Sequence, residues 1–263
     1  MRNRFNLGVG CLALVSGQAL AQQTFFELGT ELYQEVYSEK INGRPFMREE
    51  ATMYGVNGVA GWRLTPQQTL KLSLRYAQGR SKYTGGNAVI PFGGLVASGQ
   101  DRYVYELRGI YEHQVQLLGQ DLLPSVGIGY RNLTDHLEQA GSGGYKRESE
   151  YYFINLGLAA TFAAGPLKIT PKIGWNQLFK GKQYSYQYAG NNDIGNKQET
   201  GRGLELSTMF AYAMTDGSEV RVTPFFRYWK IPDSQWTFYT QHDALKEPDN
   251  MTREVGVNLS YAF

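Results

Sequence analysis

Hydrophobic and polar residues alternate along most of the chain, and the last nine residues show the pattern most clearly. Apolar side chains occupy Val255, Val257, Leu259, Tyr261 and Phe263, with small or polar residues between them. Successive side chains of a strand point to opposite faces, so this period of two predicts a strand with one apolar and one wet face. The chain is therefore expected to end in a strand whose last residue is aromatic.

Nine earlier segments alternate in the same way and predict nine more strands, which makes the fold all-β. The clearest is 70–76, where leucine or tyrosine alternates with lysine, serine or arginine. Predicted loops of roughly 11 to 19 residues, near 84–101, 133–149, 183–200 and 233–251 and after the first strand, alternate with turns of about four or five residues. The predicted strands lie near 25–37, 51–62, 70–76, 103–112, 126–130, 152–162, 167–176, 204–212, 220–228 and 255–263.

The first residues predict a secretory signal peptide over 1–21. Arg2 and Arg4 precede an uncharged, mostly apolar stretch, which ends in small residues suited to cleavage and is too short for a helical membrane span. The mature chain would then be one domain over 22–263, because no repeat or domain boundary interrupts the strand pattern. Cys11 is the single cysteine and lies in the signal, so the mature chain would form no disulfide or thiolate metal site.

Charge and composition narrow the functional class. The signal peptide holds two of the 26 Lys and Arg residues and none of the 24 Asp and Glu residues, which leaves 24 of each sign. A balanced chain lacks the basic excess of a nucleic-acid-binding protein. The chain is rich in Gly and Tyr, with 31 and 19 residues, and no apolar run is long enough for a helical span. If it crosses a membrane, it is expected to do so as a closed barrel.

The signal peptide, the alternating strands and the terminal aromatic strand together resemble Gram-negative outer-membrane β-barrel proteins. This resemblance implies a closed antiparallel transmembrane barrel of about ten strands, with eight or twelve as alternatives, short periplasmic turns and long extracellular loops. It implies that Tyr261 and Phe263 form the assembly signal read by the barrel-assembly machinery. Outer-membrane lipid and lipopolysaccharide would be the other partners, and no particular subfamily is matched.

Strand parity predicts a lumen with matched charges. Seven acids and seven bases are expected on the inner face, where long side chains in a narrow barrel would pair across the interior. A filled lumen is the first interpretation, and a narrow porin for small polar solutes is the alternative. The predicted lumen residues are Glu27, Glu31, Glu35, Lys71, Arg75, Glu106, Arg108, Glu112, Lys168, Lys172, Glu205, Arg221, Arg227 and Glu254.

A catalytic role has less support in the sequence. Omptin-type proteases are ten-stranded barrels that use carboxylates and a histidine at the outer rim, and His136 beside Asp135 and His242 beside Asp243 are the candidates here. Adjacent strand residues point to opposite faces, so neither pair assembles itself, and size is the only omptin feature present. Metal-protease, phosphate-loop and serine-hydrolase motifs are absent from the sequence, and no cofactor or metal is expected.

Aromatic residues in the last two predicted loops suggest a surface role. Tyr184, Tyr186 and Tyr188 alternate with polar residues, and Trp236 and Tyr239 lie in the last loop. Exposed rings can stack on sugars or bury in a partner protein, whereas the alternative is an interfacial girdle on strands that extend above the bilayer. The sequence therefore favours a surface-interaction role over a porin or a rim hydrolase, with the extracellular ligand unidentified.

Overall fold

The described residues of the computed structural model, 24–86, 89–141, 143–189 and 192–263, are almost entirely strand. The predicted signal peptide over 1–21 lies outside them. One short 3-10 helix, Leu137–Ala140, is present, and no helix in the described residues is long and apolar enough to cross a membrane. The strands are β1 (Thr24–Ile41), β2 (Arg44–Arg63), β3 (Gln68–Gly85), β4 (Leu95–His113), β5 (Val115–Leu117), β6 (Gln120–His136), β7 (Lys146–Ala164), β8 (Leu167–Ala189), β9 (Asn192–Lys197), β10 (Gly201–Ala213), β11 (Glu219–Ile231), β12 (Thr237–Phe238), β13 (Ala244–Leu245) and β14 (Asp249–Ala262).

Ten of these strands form a closed antiparallel barrel, which confirms the predicted fold class and strand number. The order around the ring is β1, β2, β3, β4, β6, β7, β8, β10, β11 and β14, and β14 pairs back onto β1. The remaining strands are short additions: β5 pairs with β6, β9 pairs with β8, and β12 pairs with β13.

The seam between β1 and β14 closes the ring along the full length of the last strand. The register places Leu28 opposite Tyr261 and Lys40 opposite Asp249. At its end, Phe26 and Phe263 exchange two backbone hydrogen bonds of 2.9 Å, and their rings lie 6.0 Å apart. Tyr261 stacks beside Phe263 at 6.0 Å. The two residues of the predicted assembly signal thus lie on the outer face at the point where the barrel closes.

The outer surface carries an apolar band that is bordered on each side by a girdle of aromatic side chains. Along β7 the band runs from Phe162 to Tyr152, which corresponds to about 25 Å at about 3.3 Å per residue and a tilt of about 40°. This matches the apolar height of a membrane barrel. One girdle consists of Phe26, Trp62, Tyr111, Phe162, Tyr212, Tyr261 and Phe263, and the other of Tyr54, Tyr76, Tyr105, Tyr130, Tyr152, Trp175 and Tyr228.

The two ends of the barrel differ, and we name them by their connections. The turn end contains Thr24, Phe263 and the connections at 64–67, 114–119 (which includes β5), 165–166 and 214–218. The hairpin end lies beyond the second aromatic girdle. There the strands continue past the apolar band, and their outer faces carry charged residues such as Arg48, Glu50, Arg80 and Lys82.

Much of the predicted long loops is strand in the structure. The first predicted loop is a two-residue turn at Asn42 and Gly43, where the left-handed backbone (φ 50° and 76°) suits an Asn-Gly pair. The connections at 86–94 and 137–145 are also shorter than predicted, and the segment after 183 continues as β8 and β9. The alternation in these segments mixes polar residues on both faces, which hid the strands from a hydrophobicity pattern.

Candidate functional site

The inner face of the barrel holds paired charges from the turn end to the hairpin end. At the turn-end mouth, Lys168 donates to Glu219 at 2.7 Å, and Arg221 contacts Glu27 and Glu219. Slightly deeper, Lys71 donates to Glu112 at 2.8 Å. These side chains are partly exposed, so their pairs contribute little to stability.

Above the mouth, an arginine is held by two acids from different strands. Arg108 donates from Nε to Glu106 at 2.6 Å and from Nη1 to Glu205 at 2.9 Å. Asn176 donates to the same Glu205 carboxylate at 2.8 Å. A cavity of about 230 Å³ lies beside this cluster, and Lys172 and Ser73 are among the residues that line it.

The middle of the lumen is occupied by three arginines that share two carboxylates. Arg75 donates to Glu31 at 2.5 Å and to Glu254 at 2.7 Å, and Arg227 contacts the same two acids at 3.2 and 3.1 Å. Arg131 donates to the other oxygen of Glu254 at 3.0 Å. The five side chains come from β1, β3, β6, β11 and β14 and therefore connect opposite walls of the barrel.

Aromatic rings fill the space between these ion pairs. Arg75 lies 5.0 Å over the ring of Tyr33, and Arg131 lies 5.6 Å over that of Trp229. Arg108 lies 5.2 Å over Phe153, which itself packs edge-on against Trp229 at 5.1 Å. Guanidinium groups stack well on aromatic faces. The combination leaves the mid-lumen packed with side chains.

The hairpin-end layer of the lumen is rich in carboxylates. We use the name acid layer for Glu35, Glu39, Glu49, Asp135 and Glu247, which surround Arg102 and Arg147. Arg102 contacts Glu35 and Asp135 and donates to Glu49 at 3.0 Å. Arg147 contacts Glu39 and donates to Asp135 at 3.1 Å. Five acids against two bases leave three more acids than arginines in this layer.

Glu247 is the least compensated member of the acid layer. It lies in the connection between β13 and β14, its residue is 3% exposed, and its Oε1 makes no hydrogen bond. The nearest cation is Arg147, whose Nη1 is 3.8 Å from that oxygen. Burial and the neighbouring Glu39 carboxylate hold the pKa of Glu247 well above its usual value, because both disfavour a second negative charge.

A cavity of about 440 Å³ lies at the hairpin end, next to the acid layer. Its walls are mainly apolar and aromatic, and Glu39 is the one charged side chain among the described residues that line it. Glu39 accepts a hydrogen bond from Tyr37 at 2.7 Å and contacts Arg147. The residues that line the cavity include Phe46, Met47, Tyr83, Leu95, Leu137, Tyr145 and Tyr188.

The three tyrosines predicted in a loop lie on β8 and face two different environments. Tyr184 and Tyr186 stack on the outer face at 6.0 Å, where Lys182 and Lys146 lie over their rings. Gln187 has a left-handed backbone (φ 53°), and the β8–β9 register shifts there. After this bulge Tyr188 reaches the cavity and packs edge-on against Tyr145 at 4.8 Å.

The remaining predicted surface aromatics lie in the long connection between β11 and β14. Trp236 is 63% exposed, with the Lys246 ammonium 5.9 Å from its ring. Tyr239 packs edge-on at 6.0 Å against Tyr188, which lines the cavity.

The three histidines lie apart from one another. His136 points outward and contacts Glu138 at 2.6 Å, whereas the adjacent Asp135 is buried in the acid layer. His242 lies in an exposed connection, and His113 contacts Tyr111 at the turn end. Among the described residues, no histidine shares a cleft with the acid layer.

No protein-family model matches the chain, and no curated protein matches it in sequence. The outer membrane protease OmpT from Escherichia coli is similar over 92% of this chain and 96% of that chain, with a TM-score of 0.63 and 11% identity. The fold is that of an outer-membrane β-barrel.

Two further solved structures are more distant. Neisserial surface protein A has 13% identity over 89% of this chain and 95% of that chain, with a TM-score of 0.34. OprG from Pseudomonas aeruginosa has 8% identity over 90% and 95% of the two chains, with a TM-score of 0.41. The fold assignment therefore rests on the likeness to the outer membrane protease, and at 11% identity that likeness carries no activity with it.

Sequence reasoning missed most of the acid layer. The predicted strands end before most of these positions, so the hydrophobicity pattern places Glu39, Glu49, Arg102, Arg147 and Glu247 in loops or at strand ends. The signal that identifies part of the layer is parity, because Glu39 continues the inward series of Glu31 and Glu35 along β1. Glu247 has no such signal, since it lies in an irregular connection.

Proposed function

We propose that this chain is an integral outer-membrane protein whose barrel is closed to solutes and whose hairpin end interacts with ligands outside the cell. The apolar band, the two aromatic girdles and the fold support a membrane position. The turn end would face the periplasm, and lipid and lipopolysaccharide would cover the band. The barrel-assembly machinery would recognise Tyr261 and Phe263 during biogenesis.

The mid-lumen cluster carries the proposal of a closed barrel. Arg75, Arg131 and Glu254 are each at most 5% exposed and are bound to partners on opposite walls. A water-filled pore would leave such side chains hydrated along a continuous path. Breaking a buried pair of this kind costs about 3–5 kcal/mol, so thermal opening is expected to be rare.

A single-channel measurement tests this proposal. The mature chain, refolded and inserted into a planar lipid bilayer, is expected to show no steady conductance. The control is the same detergent and lipid without protein, and folding is checked by heat-modifiable migration on a gel. Steady, ion-selective conductance of the folded wild type would contradict the proposal and favour a narrow porin.

A rim hydrolase receives less support from the described residues. The likeness to an outer membrane protease is a likeness of fold, and a general base needs a histidine within reach of both a carboxylate and a substrate cleft. His136 has its carboxylate in Glu138 but faces outward, away from the cavity. His136→Ala is therefore expected to leave any peptidase activity of the purified protein unchanged.

A further inference from the structure

The hairpin-end cavity has two features that suit the same kind of ligand. Its aromatic and aliphatic walls favour an apolar group, while Glu39, at 1% exposure, is the charged residue among the described residues that line it. Aromatic faces also attract cations, because the ring quadrupole places negative charge above each face. The rings of Phe46, Tyr83, Tyr145 and Tyr188 line this space.

The charge behind the cavity points in the same direction. The acid layer holds two more acids than arginines even without Glu247, and the Glu247 oxygen without a hydrogen bond is buried beside Glu39 and Tyr145. Such a layer lowers the electrostatic energy of an added positive charge in surroundings that screen it poorly. A hard metal ion prefers a shell of oxygen ligands, which these apolar walls do not offer.

We propose that the hairpin-end cavity binds an organic cation, a primary ammonium or guanidinium group on a short apolar chain, with Glu39 as its counter-ion. The chain would lie against the rings of Phe46 and Tyr188, and the charged group would reach the carboxylate. This inference rests on the proposed function in one respect, since the ligand would arrive from the outer side of the membrane.

Isothermal titration of the refolded mature protein in detergent tests the inference. The probes are butylammonium and butylguanidinium, with butanol and butyrate as neutral and anionic controls of the same chain length. We expect both cations to bind and both controls to give no saturable heat. Glu39→Gln is expected to weaken cation binding by roughly tenfold or more, because the counter-ion is lost.

Two further variants keep the test decisive. Glu50→Gln removes an exposed carboxylate on the outer face of the neighbouring strand β2, and it is expected to bind like the wild type. Tyr188→Leu removes a ring at the rim and is expected to weaken binding even if Glu39→Gln does not fold. No cation binding to the wild type, equal binding of butanol or butyrate, displacement of butylammonium by millimolar calcium, or unchanged affinity in folded Glu39→Gln would each overturn the inference.

Failure of this inference can be told apart from failure of the proposed function. Binding in detergent depends on neither conductance nor the orientation of the barrel. A silent bilayer with no cation binding would overturn only the ligand site, whereas a conducting bilayer with cation binding would overturn only the closed barrel.

Discussion

Arg75 and Glu254 are 179 residues apart in the chain, and Arg75 Nη2 donates to Glu254 Oε2 at 2.7 Å in the middle of the lumen. Arg75 comes from β3 and Glu254 from the closing strand β14. Glu254 also accepts from Arg131 at 3.0 Å and contacts Arg227 at 3.1 Å, so one carboxylate connects three arginines from separate strands. The last strand therefore both closes the ring and completes the mid-lumen cluster.

Arg75→Ala tests whether this cluster closes the lumen. The substitution removes a cation from Glu31 and Glu254 and enlarges the 230 Å³ cavity that Arg75 lines. We expect transient cation-selective openings in planar bilayers and a loss of about 3–5 kcal/mol in the free energy of unfolding. Bilayer recordings and urea titrations in lipid measure the two effects.

Arg48→Ala is the matched control for Arg75→Ala. Arg48 pairs with Glu50 at 2.5 Å on the exposed outer face, so its loss is expected to change stability by less than about 1 kcal/mol. If Arg75→Ala stays silent in bilayers and is as stable as Arg48→Ala, the cluster does not close the barrel.

The fold could be predicted because every strand in the apolar band must place apolar residues on its lipid-facing side and polar residues on its lumen-facing side. Residues 70–76 must place leucine and tyrosine outside and Lys71 and Arg75 inside, and a period of two records this directly. The terminal strand obeys the same rule up to Phe263. Beyond the band both faces are polar, so apolar and polar residues no longer alternate. The sequence pattern therefore predicts loops where the structure has strands.

The site could be predicted only in part, for related reasons. The acids of β1 follow parity, and so do Tyr33, Phe153 and Trp229, but these three are aromatic residues that point inward. A pattern that assigns aromatic residues to the outer face misses them. Glu247 reaches the acid layer through a connection whose path depends on tertiary contacts, such as the bond from Glu247 N to Ser234 Oγ at 2.9 Å.

Leu72→Arg and Ser73→Arg separate the two faces of β3. Leu72 is exposed on the outer face within the apolar band, whereas Ser73 lines the 230 Å³ cavity in the lumen. We expect Leu72→Arg to cost about 2–4 kcal/mol near the midplane, and Ser73→Arg to cost much less, because the cavity can accept the longer side chain. Urea titrations of the refolded variants in lipid measure both, and equal or reversed costs would show that the strand parity is wrong.

Deletion of Phe263 tests the closing strand. The residue exchanges two backbone hydrogen bonds with Phe26 and contributes a ring to the turn-end girdle, so its loss shortens the seam at the terminus. We expect secretion to continue while membrane insertion falls, seen as a smaller heat-modifiable band on gels of outer-membrane fractions. Phe263→Tyr keeps the aromatic ring and the backbone bonds and is expected to insert normally. Undiminished folded protein after the deletion would count against an assembly role for this residue.

Glu247→Gln tests the charge balance of the acid layer through pH. The groups around Glu247 are Glu39, Arg147, Tyr37, Tyr145 and Tyr151, and burial together with Glu39 raises its pKa well above the usual value. Between the unfolded pKa of about 4.3 and the raised folded pKa, the folded protein holds one more proton than the unfolded chain. The contribution of Glu247 to stability is therefore full below pH 4.3 and is lost as the pH rises through the folded pKa.

A neutral amide at this position removes the titration, so the midpoint of thermal unfolding of Glu247→Gln should fall less between pH 5 and 8 than that of the wild type. Circular dichroism of the refolded proteins in one detergent, measured at several pH values, gives the two slopes. Glu50→Gln is the control, because Glu50 is exposed and pairs with Arg48 on the outer face, and its slope is expected to match the wild type. If Glu247→Gln also has the wild-type slope, Glu247 is already ionised in the folded protein at pH 5, and the acid layer must hold its charge by other contacts.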